Sequence, residues 1–266
     1  MPPQRRRQQT EAKKGLSCEV LAGFCDELLE THSYDDWKGA VNGLQVDSGR
    51  PVRKIGATVD ATLSTIQLAV DADVDLLLVH HGLFWQPTFP WTGKRKALIK
   101  LLVESDLGVY SAHLPLDAHP QLGNNAQLGK ALKLGKGRPF FPHHGKPIGL
   151  RYQARIGRDQ LASRLTGALD GQPPVSIPAG PEICQKVGII TGGAGSDLKK
   201  AADQGIDTFI TGEGPHWTFA LAEELGINVF YGGHYATETF GVKALAAKLA
   251  AKFQLEWEFL PYPTHL

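Results

Sequence analysis

Short unbroken apolar runs and longer stretches of helical periodicity alternate along this chain. The clearest run is Leu76-Leu77-Leu78-Val79, bounded by polar residues and by Gly82, which suits a strand buried on both faces as in a parallel sheet. Similar runs predict strands over 54–59, 108–112, 148–154, 186–191, 208–211, 228–231 and 254–260. Between them, helical spacing predicts helices near 63–70, 96–104, 126–134, 158–169, 198–204, 215–225 and 239–249. Ser17 is placed to cap a further helix running through Leu29, with Glu19 and Val20 in its first turn. Such alternation predicts an α/β fold. Pro139, Pro142, Gly145 and Pro147 mark 139–147 as a Pro/Gly-rich linker. The expected layout is therefore two similar α/β lobes, 16–138 and 148–266, without an exact internal repeat. Residues 1–15, with Arg5-Arg6-Arg7 and Lys13-Lys14, are expected to be a disordered basic tail lacking the apolar segment of a secretory signal.

Composition narrows the partners. With 266 residues and 42% hydrophobic content, the chain can bury a substantial core. A net charge of +1 argues against a general nucleic-acid or membrane binder, and no apolar run approaches a membrane span. The three cysteines, Cys18, Cys25 and Cys184, form no metal motif and no disulfide framework. Cys18 and Cys25 lie on an apolar-periodic helix and read as core residues. A cytoplasmic protein is expected.

The candidate chemistry gathers where strands run out. His80-His81 follows the apolar run directly, and ligands in parallel sheets bind beyond the carboxyl ends of strands. Adjacent strand residues point to opposite faces, so both histidines serve one site only if the chain turns at Gly82 or if two metals are bound. A second run ends in His113 and Asp117. A third leads into His234 and Glu238, four residues apart and so on one face of an early helix. Asp60, at the end of the first strand, either lines the same cleft or caps the helix that follows, and the cap is the favoured reading. His143-His144, among prolines, is read as part of an exposed loop. Thr191-Gly192-Gly193-Ala194-Gly195-Ser196 is read as a tight turn between strand and helix, with phosphate binding by its amides as the alternative.

Taken in order, these segments make the sequence similar to the GTP cyclohydrolase I type 2 family, also called the NIF-three-like proteins. The matching residues are Trp37 with Asn42-Gly43-Leu44-Gln45-Val46, then Val79-His80-His81-Gly82 and His113-Leu114-Pro115-Leu116-Asp117. Asn124-Asn125, Thr211-Gly212-Glu213 with His216, and Gly232-Gly233-His234 with Glu238 complete the set. The resemblance covers the chain from about residue 17 onward. It implies the NIF-three-like fold, with two similar α/β halves and mixed or mostly parallel sheets packed around a metal-binding cleft. It implies a dinuclear centre ligated by His80, His81, Asp117, His234 and Glu238, and a toroidal homohexamer. The family usually shows an Asp-Asn pair where this chain has Val41-Asn42, which leaves no carboxylate at position 41.

Three imidazoles and two carboxylates without thiolate suit two divalent transition-metal ions per subunit: zinc, iron, manganese, cobalt or nickel. The reaction class that follows is hydrolysis. The resemblance implies attack on C8 of the guanine ring of GTP, with ring opening and formate release, and His113, Glu213 and His216 are the candidates for proton transfer. His113 is equally read as a partner of Asp117, His216 as a capping or packing residue near a helix start, and Glu213 as a helix-start acid. The alternatives are a metal-dependent nucleotide phosphoesterase, or a non-catalytic metal-binding scaffold or regulatory protein.

Overall fold

The computed structural model describes residues 16–85 and 89–266; the expected basic tail lies outside the described residues. In chain order the first elements are α1 (Cys18–Leu29), β1 (Gly43–Val46), β2 (Lys54–Asp60), α2 (Leu63–Asp71), β3 (Leu76–His81), α3 (Gly93–Ser105), β4 (Gly108–Ser111), α4 (Leu114–Ala118) and α5 (Asn124–Ala131). There follow β5 (Arg138–His143), β6 (Lys146–Gly157), α6 (Arg158–Ala168), β7 (Val175–Pro178), β8 (Ile183–Ile189), α7 (Leu198–Asp203) and β9 (Thr208–Thr211). The last are α8 (Thr218–Leu225), β10 (Asn228–Tyr231), α9 (His234–Phe253) and β11 (Glu256–Phe259).

Local signals explain several boundaries. The Ser17 hydroxyl accepts from the Val20 amide at the start of α1. Thr62 and Thr65 form a reciprocal capping box on α2. That cap displaces the reading of Asp60 as the capping group and frees its carboxylate for another partner.

The strands form two sheets, ordered β1-β4-β3-β2-β11 and β5-β6-β8-β9-β10-β7. In the first, β4, β3, β2 and β11 run parallel and only the edge strand β1 is antiparallel. In the second, β8, β9 and β10 are parallel, with β5 and β6 antiparallel on one side and β7 on the other. Both faces of each sheet are covered. Leu21 and Cys25 of α1 and Val242, Leu245 and Leu249 of α9 bury one face of the first sheet, while Ile66 and Leu102 from α2 and α3 bury the other. Leu128, Leu161 and Leu165 from α5 and α6 cover one face of the second sheet, and Leu198 and Ala222 from α7 and α8 cover its opposite face.

Two expectations need correction. Residues 139–147 are not an open linker: β5 pairs with β6 as a hairpin through Pro139↔Leu150 and Pro142↔Pro147. His143 belongs to that strand and only His144 sits in the turn, at φ 44°. Proline is tolerated because β5 is an edge strand, whose outer side needs no ladder donor. The chain is also not divided sequentially between the sheets. β11 returns to pair with β2, and α9 carries the crossing, with Ala236 and Phe240 against the second core and Val242 to Leu249 in the first.

Candidate metal centre

The parallel strands aim their carboxyl ends at one cleft. β3 ends in His80 and His81, β4 leads through His113 into the short helix α4 that carries Asp117, and β10 leads into α9, which starts on His234. Pro115 in the first turn of α4 suits a position where the amide has no helical partner. Gly233 enters α9 at φ 91°, a left-handed angle that favours glycine.

Glu238 lies at the middle of the cluster, and its two oxygens face different sets. Oε1 is 3.5 Å from His80 Nε2, which in turn lies 3.4 Å from Asp117 Oδ2. Oε2 is 3.3 Å from His81 Nε2 and 3.2 Å from His234 Nε2. These atoms make two groups able to hold a metal ion, His80 with Asp117 and Glu238, and His81 with His234 and Glu238; a third is His80, His81 and His113. His80 is fully buried and Glu238 nearly so, yet among the described residues His80 Nε2 and Glu238 Oε2 have no hydrogen-bond partner. Buried polar atoms are normally paired. A cation between them would satisfy both, so the donor set fits a metal.

Each imidazole is oriented through its other nitrogen. His80 Nδ1 donates to the Ala112 carbonyl at 2.9 Å, His81 Nδ1 to Asp60 Oδ1 at 2.8 Å and His234 Nδ1 to Glu213 Oε1 at 2.8 Å. An acceptor on Nδ1 fixes the proton there and leaves the Nε2 lone pair for a metal. His113 follows the same rule, with Nδ1 donating to Asp36 Oδ1 at 2.7 Å. Its carboxylate partner is therefore Asp36, not Asp117. Asp36 is itself held by Asn42 Nδ2 at 2.8 Å, and Asn42 Oδ1 accepts from the His113 amide at 2.7 Å. A carboxylate absent from position 41 thus reaches the site from position 36. The Trp85 ring packs edge-on against His81 and His113, with centroids 5.6 and 5.0 Å away.

Asp117 is fixed by Asn124 Nδ2 at 2.8 Å and Thr191 Oγ1 at 3.3 Å. The glycine-rich turn after β8 packs against the site as well. The amides of Thr191, Gly192 and Gly195 already donate to Asn125 Oδ1, Thr237 Oγ1 and the Glu213 carbonyl, so the turn is structural at those positions.

Without metal the charges lean on one another. Burial opposes the charged form of His80, but the Asp117 and Glu238 carboxylates outweigh it and raise its pKa well above the histidine range. Burial opposes charge on His234 too, and the Glu238 and Glu213 carboxylates push it up to about 9. Burial would raise Glu238, but His80 and His81 hold it well below the carboxylate range.

The structure therefore brings His80, His81, His113, Asp117, His234 and Glu238 together, with Glu213 joined through His234. His216 is exposed and falls in none of the three groups; it lines a neighbouring cavity. Asp36 carries no motif in the sequence, whereas Asp60 takes the cleft position that its strand end allows and not the favoured cap.

Known proteins share this arrangement of sequence and fold. Residues 17–265 match the family described as Duf34/NIF3 (NGG1p interacting factor 3). A protein of Deinococcus radiodurans named GTP cyclohydrolase 1 type 2 homolog is 39% identical over 250 residues, covering 93% of this chain and 94% of its own. One of the same name from Halobacterium salinarum is 40% identical over 253 residues, covering 93% of this chain and 98% of its own. The crystal structure of TTHA1606 from Thermus thermophilus matches with a TM-score of 0.87 at 40% identity, over 94% of this chain and 100% of that one. A match that runs from the first helix to the last strand, with the same fold beneath it, means that the chain belongs to the Duf34/NIF3 family.

Proposed function

We propose that this protein is a metal-dependent hydrolase whose cleft holds two divalent transition-metal ions. His80, Asp117 and Glu238 would hold one, and His81, His234 and Glu238 the other. One observation carries the reading: the buried Glu238 carboxylate presents one oxygen to each histidine set and, among the described residues, has no hydrogen-bond partner on Oε2. A carboxylate shared by both donor sets would serve two cations better than one closed tetrahedral site. Bound metals supply Lewis acidity and make hydroxide available near neutral pH, lowering the pKa of water from 15.7 to about 7. The chain's own residues then do the rest. Ala112, Asp60 and Glu213 hold the three ligand rings in one tautomer. His113, anchored by Asp36, keeps Nε2 uncommitted beside His80 and His81 and is the group we assign to proton transfer. Glu213 acts by orienting His234.

The names of the relatives direct the substrate proposal to GTP, with opening of the guanine ring and release of formate. The test pairs elemental analysis of untagged protein with depletion assays across nucleoside triphosphates and monophosphates. About two metals per subunit are expected, falling sharply in His81→Ala and Glu238→Ala, together with formate release that a chelator abolishes. Unchanged metal content in both variants would sink the centre. Phosphate release without formate would favour a phosphoesterase, and an inert but fully metallated protein would favour a scaffold.

The same reading includes a cytoplasmic setting, supported by three buried free thiols at Cys18, Cys25 and Cys184. Among the described residues, no helix is long and apolar enough to cross a membrane. It also includes a ring-shaped homohexamer. Light scattering should give several times the 28.8 kDa of one chain, and a strictly monomeric protein at micromolar concentration would contradict it.

A further inference from the structure

Beside the metal cleft lies a second cavity of about 970 Å³, near the top of the range for small-molecule sites. It runs along α9 past Tyr235, Ala236, Thr239, Phe240 and Lys243, a stripe of helical spacing distinct from the one that carries His234 and Glu238. Its walls also include Tyr231 from β10 and Phe259 from β11. Glu213 lines it too, and Glu213 is the residue that holds His234. None of the candidate ligands lines this cavity, and Glu213 is the carboxylate that reaches both it and the metal cleft.

Its lining carries Lys243 and the carboxylates of Asp170 and Glu213. Lys243 is half-buried, with its ammonium 4.2 Å above the Phe259 ring and 3.4 Å from Thr239 Oγ1. Among the described residues it makes no salt bridge, although an ammonium has three donors and is rarely buried unpaired. Burial lowers its pKa, and Asp170, which also lines the cavity, pulls weakly the other way. An anion arriving at Lys243 would remove this penalty. At the other end, Glu213 spends Oε1 on His234 and keeps Oε2 as an acceptor for N–H donors. Lys243 lies nine residues beyond His234 on α9, roughly 13.5 Å at the helical rise. The lining also includes the aromatic rings of Phe219, Tyr231, Tyr235, Phe240 and Phe259.

We propose that this cavity binds a purine nucleoside monophosphate, its phosphate on Lys243, its ring among Tyr235, Phe240 and Phe259, and its N–H edge toward Glu213. Lys243 attracts the phosphate against the opposing charge of Asp170, while the Glu213 carboxylate repels it and accepts from N–H donors. Guanine carries an exocyclic amino donor suited to a carboxylate. The choice of guanine rests on the function proposed above; the class, a flat ring carrying an anion, rests on the cavity alone.

The test measures equilibrium binding of guanosine 5′-monophosphate and of guanosine to the metal-loaded and the chelated protein. Binding of the monophosphate should survive chelation. It should weaken about ten- to a hundredfold in Lys243→Gln, the usual worth of a hydrogen bond to a charged group. Lys243→Arg should restore most of it, and guanosine should bind both variants alike. Metal content is read alongside and should not change in either variant, so loss of the metal centre cannot imitate the effect. Absence of binding to any form overturns the proposal, as would occlusion of the cavity by a second copy. Binding that chelation abolishes and Lys243→Gln leaves untouched also overturns it, because the phosphate then sits on the metals. Turnover assays stand apart from this outcome: an inert protein that passes the Lys243 test keeps the cavity and loses only the hydrolase reading.

Discussion

Asp36 is a buried carboxylate wrapped by donors: His113 Nδ1, Asn42 Nδ2 and the backbone amides of Trp37 and Leu114. Burial alone would raise its pKa, but the bonds from His113 and Asn42 win and lower it below the ordinary value. A carboxylate whose folded pKa is depressed contributes stability that is present above the unfolded pKa, about 3.9, and is lost as pH falls through the folded value. Asp36→Asn should therefore be less stable than wild type near neutrality, by about 1–3 kcal/mol. The gap should close progressively below about pH 4. Urea unfolding across that range reads it directly, and a gap independent of pH would remove the charge from the explanation. The candidate ligands could be picked out from sequence because they cluster just beyond the ends of apolar runs. Their partners could not be, because Asp36 and His113 are 77 residues apart and Asp60 and His81 are 21 apart. No spacing rule spans such gaps; only the sheet brings them together. Asp60 looked like a cap because Thr62, two residues on, offered the same chemistry and took the position.

Among the elements, the buried parallel strands were the readable ones, since a run such as 76–79 must be apolar on both faces. β5 and β7 were not. Both are edge strands containing proline, Pro139 and Pro142 in one and Pro178 in the other, and an edge strand differs little in composition from a loop. The turn after β8 was readable as a turn, but its reason was not. Gly192 has φ +74°, and a Cβ there would sit 2.1 Å from Glu238 Oε1. Gly145, in the β5–β6 turn, has φ +83° and open space around it. Alanine at either position carries similar backbone strain, of order 1–2 kcal/mol. Only Gly192→Ala must also displace Glu238. It should lose most of its bound metal, whereas Gly145→Ala should keep it with a slightly lowered melting temperature. Elemental analysis of the two variants side by side checks this, and full metal content in Gly192→Ala would show that the loop can yield.

For the molecule as a whole, the cleft is the place where the two sheets are tied. His80 and His81 come from the first sheet. The start of α9 is bonded to strand ends of the second, through Gly233 to Gly212 and Gly212 to Gly192. Further along, α9 is buried in the first core, so His234 and Glu238 sit at the crossing between the two layers. A cation held there would link groups that the unfolded chain leaves far apart, and would bind the folded state in preference to the unfolded one. Linkage then sets the size of the effect. Metal at about 1,000 times its Kd adds about 4 kcal/mol to stability. For a chain of this size, each kcal/mol moves the melting temperature by roughly 2–4 °C. Chelation should therefore lower Tm by roughly 8–16 °C. Returning zinc, manganese or iron should restore it, with the most effective ion marking the best fit to three imidazoles and two carboxylates. The buried thiols Cys18, Cys25 and Cys184 lie in the cores and should take no part, so alkylation of the folded protein should leave the shift intact. A melting temperature unmoved while elemental analysis shows the metals gone would mean that the cleft is held by its own packing, and that the ions bind without joining the two sheets.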